Sequence, residues 1–95
     1  MLSRADVLLG VAQAYFDALR AQAVLRVAQE TVKARQFVVD QISLMAKNQL
    51  KSDLDVGFAN VDLSQAQLLL IQAQNDVQAS FAMLSAALGL SLIHI

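Results

Sequence analysis

Catalysis and metal binding need reactive side chains gathered at one place, and this 95-residue chain has few to gather. It has a single histidine, His94, next to the last residue, and no cysteine, so neither a histidine-based triad nor a multi-histidine or thiolate metal site can be built within it. The lack of cysteine also removes disulfides, which suits a reducing or an oxidising compartment equally. Gly10, Gly57 and Gly89 lie too far apart to form a phosphate-cradling loop. Asp53 and Asp55 are the one close pair of carboxylates in a distinctive setting, but their position at a helix start is explained by capping without acid/base work. No catalytic residue, cofactor or metal ion is therefore expected, and the chain is not read as an enzyme. Lys and Arg are scattered along a chain of net charge −1, so no basic stripe points to nucleic acid.

The elements that hold these residues are two long rods. The chain has no proline, and its 57% hydrophobic content with 16% charge excludes a disordered tail while allowing one small domain at most. Ser3-Arg4-Ala5-Asp6 has capping-box spacing, so a helix is expected over 4–47, roughly 60 Å long at 1.5 Å per residue. Ser52 and Asp55 form a second capping box and open a helix over 53–88, with Gly89 placed to end it in a left-handed C′ conformation. The turn falls at 48–52, where Asn48 is the residue most tolerant of positive φ. An antiparallel two-helix coiled-coil hairpin over 4–89 follows, with 90–95 as a tail.

Steps of three and four residues pick out Val11, Ala14, Ala18, Ala21, Leu25, Ala28, Val32, Arg35, Val39, Ile42 and Ala46 as a heptad seam with one charged interruption. The second rod repeats the pattern through Val56, Ala59, Leu63, Ala66, Leu70, Ala73, Val77, Ser80, Leu84 and Ala87. Each rod also carries a further apolar line. It runs through Leu9, Ala12, Phe16, Leu19, Ala23 and Val27 in the first, and through Phe58, Val61, Leu68 or Leu69, Phe81 and Leu88 in the second. The apolar arc is thus wider than a two-stranded coiled coil requires, and one partner would leave part of it wet. Gln13, Asp17, Arg20, Gln22, Arg26, Gln29, Lys33, Gln36 and Asp40 read as a solvated far face. Tyr15 and Phe16 read as packed aromatics, and Gly57 as a site of close packing near the bend.

No signal peptide is expected, because Asp6 interrupts the first apolar run. The longest nearly apolar run, 81–95, is broken by Ser85, Gly89, Ser91 and His94, so no spanning helix is expected either. The residues 90–95 leave the heptads and read either as translated adapter read-through or as a native apolar strand start.

The run Val11-Ala12-Gln13-Ala14-Tyr15-Phe16-Asp17-Ala18-Leu19, the turn Leu50-Lys51-Ser52-Asp53-Leu54-Asp55-Val56, and the trailing Ala59, Leu63, Ala66, Ala73, Leu84 and Leu88-Gly89 resemble the TolC-like outer-membrane efflux channel family. The resemblance covers about residues 7–89. It implies a homotrimeric channel in the outer membrane of a Gram-negative bacterium, with a β-barrel continued by an α-helical tunnel across the periplasm. Each protomer of that family has two hairpins of this kind, and the Tyr15-Phe16 pair leans toward the first; this chain would be a fragment holding one of them. The tip Asn48, Gln49, Leu50, Lys51 and Ser52 would dock with a periplasmic membrane-fusion adaptor, and an inner-membrane transporter would supply energy. Asp55 matches the aspartate near the family's constricted entrance, whereas a second aspartate is replaced by Phe58. The family's usual glycine before the turn leucine is also missing, since Asn48-Gln49 precede Leu50. A free-standing helical scaffold, or the coiled-coil part of an adaptor, is the alternative reading, and flanking lipoyl-like segments would mark the latter.

Overall fold

The computed structural model describes residues 3–94, which form two helices, α1 (Arg4–Lys47) and α2 (Asp53–His94), joined by a short bend. Among the described residues there is no strand. Ser3 begins α1 as foreseen: its hydroxyl accepts from the Asp6 amide at 3.1 Å and its own amide donates to the Asp6 carboxylate at 3.4 Å. With no proline and an acidic first turn, nothing interrupts the backbone ladder until Lys47.

The helices double back, and their contacts fall into two units. In one, Arg26–Gln72, the end of α1 packs against the start of α2 around the bend. Its core is Val39, Ala59 and Leu63, with Val32 and Ile42 packed at its edge. The other unit combines the start of α1, up to Leu25, with the end of α2 from Ala73 onward. Val7, Ala18, Ala73 and Ser80 are its buried positions. Ser80 sits in this seam without cost in hydrogen bonding, because its hydroxyl donates back to the Val77 carbonyl at 2.8 Å.

The heptad seams are the buried faces. Each of the ten α2 seam positions from Val56 to Ala87 is buried or half-buried, as is each α1 seam position from Val11 to Ala46 except Arg35, whose long side chain reaches water. The alternation of alanine with Val, Leu and Ile explains the closeness: small residues let the backbones approach and the larger ones fill the spaces between turns. Even so, no described side chain is fully enclosed, as expected when one helix covers only one side of another.

Three expectations need correction. Gly89 does not end α2, which continues to His94. Helical φ is open to glycine at modest cost, and Ser91, one seam step beyond Ala87, is half-buried, so the packing that holds the helix persists past it. Residues 90–94 are thus helical rather than the start of a strand, while Ile95 lies outside the described residues. Tyr15 and Phe16 are not core residues: they are 51% and 66% exposed and meet each other edge to face at 5.8 Å. Gly57 is not a point of close packing within the chain, since a methyl group there would meet nothing within 4 Å.

Burial of the seam predicts a sharp contrast between leucines and phenylalanines on opposite faces. Leu63→Ala should destabilise the hairpin by about 2–3 kcal/mol, because it opens the core beside Val39. Phe37→Ala, 62% exposed in the single chain, should leave the unfolding of the isolated hairpin nearly unchanged. Urea unfolding followed by helical circular dichroism at low concentration measures both.

Candidate functional site

The bend is built by the main chain. The Leu50 amide donates to the Met45 carbonyl at 2.8 Å and the Gln49 amide to Ala46 at 3.0 Å, the paired bonds of a Schellman helix end. The Asn48 side chain donates a further bond at 3.1 Å to the Leu44 carbonyl, which also accepts from the Asn48 amide. The residue with positive φ is Gln49, at 62°, and not Asn48 as expected. Asn48 still belongs to the last turn, since its amide bonds back to both Leu44 and Met45, and the chain reverses one residue later. Gln49 thus takes the left-handed place directly before Leu50, and the chain reverses there without glycine.

On the far side of the bend Ser52 and Asp55 cap α2. The Ser52 hydroxyl accepts from the Asp55 amide at 3.2 Å, while one Asp55 carboxylate oxygen accepts from the Ser52 amide at 3.2 Å and from its hydroxyl at 3.0 Å. The Ser52 amide, followed by its hydroxyl and the nearby charge of Lys51, holds the Asp55 carboxyl below the ordinary aspartate range. Asp55 thus has a structural task whatever else it does. Between the two caps, Leu50 stands 73% exposed and Leu54 64% exposed, so the bend presents apolar side chains on a fixed backbone. A shallow groove on one side of it, lined by Asp40, Ser43, Leu44, Lys47, Asp53 and Val56, has charges of both signs.

The larger feature is the pair of apolar lines away from the seam. At 100° per residue, a side chain two positions from a seam residue lies about 200° around the helix. Phe16, Phe37 and Leu44 on α1 and Leu54, Val61 and Leu68 on α2 satisfy that rule, and all are exposed. The polar residues expected on the far face are exposed too, but lie a quarter turn to either side of the seam: Gln22, Gln29 and Gln36 follow seam residues, whereas Gln13, Asp17 and Arg20 precede them. Arg20 pairs with Asp17 and Lys33 with Glu30, one turn apart on the surface. Each helix therefore carries an exposed apolar line opposite its seam, and its flanks mix these polar side chains with apolar ones such as Leu19, Phe58 and Phe81. By length and composition alone α2 is also long and apolar enough to cross a bilayer, an 18-residue stretch of it reaching a mean hydropathy of 1.4. Counting unbroken runs missed it, since single Gln, Asn and Ser residues interrupt the runs without lowering the average much.

Among the described residues no three His, Cys, Asp or Glu groups gather as metal ligands. The bend thus has an exposed apex, and both helices expose apolar side chains away from their seam. The chain belongs to the outer membrane efflux protein family, whose profile matches residues 3–90. That family is one of channel and transport proteins, and the chain is accordingly a component of an outer-membrane efflux channel. No curated protein and no solved structure matches it.

Two measurements probe the bend. Left-handed φ costs a side-chain-bearing residue roughly 1–2 kcal/mol, and glycine's extra freedom in the unfolded chain returns roughly 0.5–1 kcal/mol of that. Gln49→Gly should therefore raise hairpin stability by about 0.5–1 kcal/mol in denaturant unfolding. Because Asp55 titrates low when folded, its capping contribution is complete above the ordinary aspartate pKa and is lost as pH falls through the folded value. In a carboxylate NMR titration Asp55 should titrate below the ordinary aspartate range, and Ser52→Ala should move it back up while costing about 1 kcal/mol.

Proposed function

We propose that this hairpin is a stave of the periplasmic tunnel in a trimeric outer-membrane channel for efflux or type I secretion. The single observation that supports it is the exposed apolar line opposite the seam on both helices. In a closed ring every helix has a neighbour on two sides, so a helix apolar on two opposed sides is fully covered and the polar flanks meet water in the lumen or outside. A free-standing coiled-coil scaffold would need only the seam. On this proposal α2's hydropathy serves helix neighbours, and Asn60, Gln67 and Gln74 form a polar row beside its seam.

In this reading the apex Asn48, Gln49, Leu50, Lys51 and Ser52 points away from the outer membrane and docks with the helical hairpin of a periplasmic adaptor, Leu50 supplying the apolar contact. Asp55, one turn into α2, stands near the narrowed entrance, where copies around the axis would favour cations and make opening sensitive to charge. The tunnel is a passive conduit, and an inner-membrane transporter supplies the energy.

The reading is tested by the association of the chain itself. Because one antiparallel contact leaves the second apolar lines in water, sedimentation at micromolar concentration should show helical oligomers. A stable monomer under those conditions would overturn it.

A further inference from the structure

The unit around the bend, Arg26–Gln72, has two broad sides, and they differ in chemistry. The groove lined by Ser43, Lys47 and Asp53 lies on the side where α1 residues directly follow a seam position. Arg26, Lys33 and Lys47 each follow a seam residue and fall on that side, with the amides of Gln29 and Gln36. Because the helices run antiparallel, residues directly before the seam share the other side whichever helix they belong to. Val38 and Met45 of α1 stand there, with Asp55, Asp62 and Leu69 of α2.

On this second side α2 sets an aromatic ring between two carboxylates. Phe58 comes three residues after Asp55 and four before Asp62, the two spacings that make side chains neighbours on a helix, about 5–6 Å apart at Cβ. The ring is 62% exposed, so packing within the chain does not account for it. Asp55 commits one carboxylate oxygen to Ser52, whereas Asp62 takes part in neither ion pair found among the described residues. Between Val38 and the bend this side carries no Lys or Arg. Arg35, in the seam, lies farther from the bend beside Thr31 and Ala34, and Lys51 belongs to the apex.

Each part of this stripe has a chemical complement. The face of an aromatic ring attracts a cation, and flanking carboxylates add to the attraction while repelling anions. A small hydrated ion gains little from the ring or from exposed Val38, Met45 and Leu69. A cation whose charge is carried on an apolar body sheds water at low cost and uses all of these contacts.

We propose that Phe58, flanked by Asp55 and Asp62, is a binding site for organic cations with an apolar body, of the quaternary ammonium or phosphonium class. The charge lies over the ring between the two carboxylates, and the apolar substituents extend toward Val38 and Met45 of α1. That the site borders a path for solute rests on the tunnel reading; the binding itself does not.

The test titrates the chain itself with tetraphenylphosphonium, followed by NMR shifts of its rings and amides. The shifts should centre on Phe58 and Asp62, and tetraphenylborate, the same shape with the opposite charge, should bind about tenfold more weakly. Phe58→Ala and Asp62→Asn should each weaken the cation about threefold, while Phe58→Tyr, which keeps a ring, should retain it. Both residues are exposed, so helical circular dichroism should not change in any of these variants. Equal affinity for the two ions, or affinity that ignores Phe58→Ala, would overturn the site and leave the tunnel reading standing. A chain that binds the cation yet stays monomeric would support the site and overturn the tunnel reading alone.

Discussion

One contact surface holds this molecule together, the heptad seam between α1 and α2. Alanine recurs along both seams, at Ala18, Ala59, Ala66 and Ala73 among the most buried positions, and the helices come close because those side chains are short. Leu63 and Val39 then fill what remains. A hairpin of this kind needs no loop core, no disulfide and no bound ion. What it needs is register, fixed at one end by the bend, where a Schellman closure finishes α1 and a Ser–Asp box begins α2 within a few residues.

A single seam satisfies only half of what the composition provides. Apolar residues are spread so widely around both helices that neither has a strongly one-sided character. Such a helix would be a poor surface helix of a compact domain, where one side meets the core and the other water. It suits a sheet-like array of helices, in which covering both sides takes two neighbours and only the flanks are wetted. The amide side chains on those flanks are neutral and hydrated, so they tolerate either side of a water-filled wall.

Much of this was legible in the sequence because helical periodicity is a geometric property. The seams, both capping boxes and the reversal near Gln49 follow from spacing and from side chains that hydrogen-bond within one turn. The misses have physical causes. Asn48 was favoured for the left-handed position on intrinsic preference, yet the hydrogen-bonding frame of the helix end decides which residue reverses, and that residue is Gln49. Gly89 was taken as a stop, but seam contacts on both sides of it, at Ala87 and Ser91, outweigh a propensity of about 1 kcal/mol. Tyr15 and Phe16 were assigned to a core as aromatics on the apolar arc, although their places one and two residues after Ala14 already set them off the seam. The polar far face was drawn too simply: counting angles shows two flanks with an apolar line between them.

The bend has a consequence for how such a protein changes over time. Its shape is written in amide–carbonyl bonds, those of Gln49 and Leu50 above all, with the side chains of Asn48 and Ser52, and asks nothing of the side chains of Leu50 and Lys51. Side chains there can drift without refolding the turn, so a lineage could trade one recognition surface for another by point substitution while the scaffold beneath stays constant.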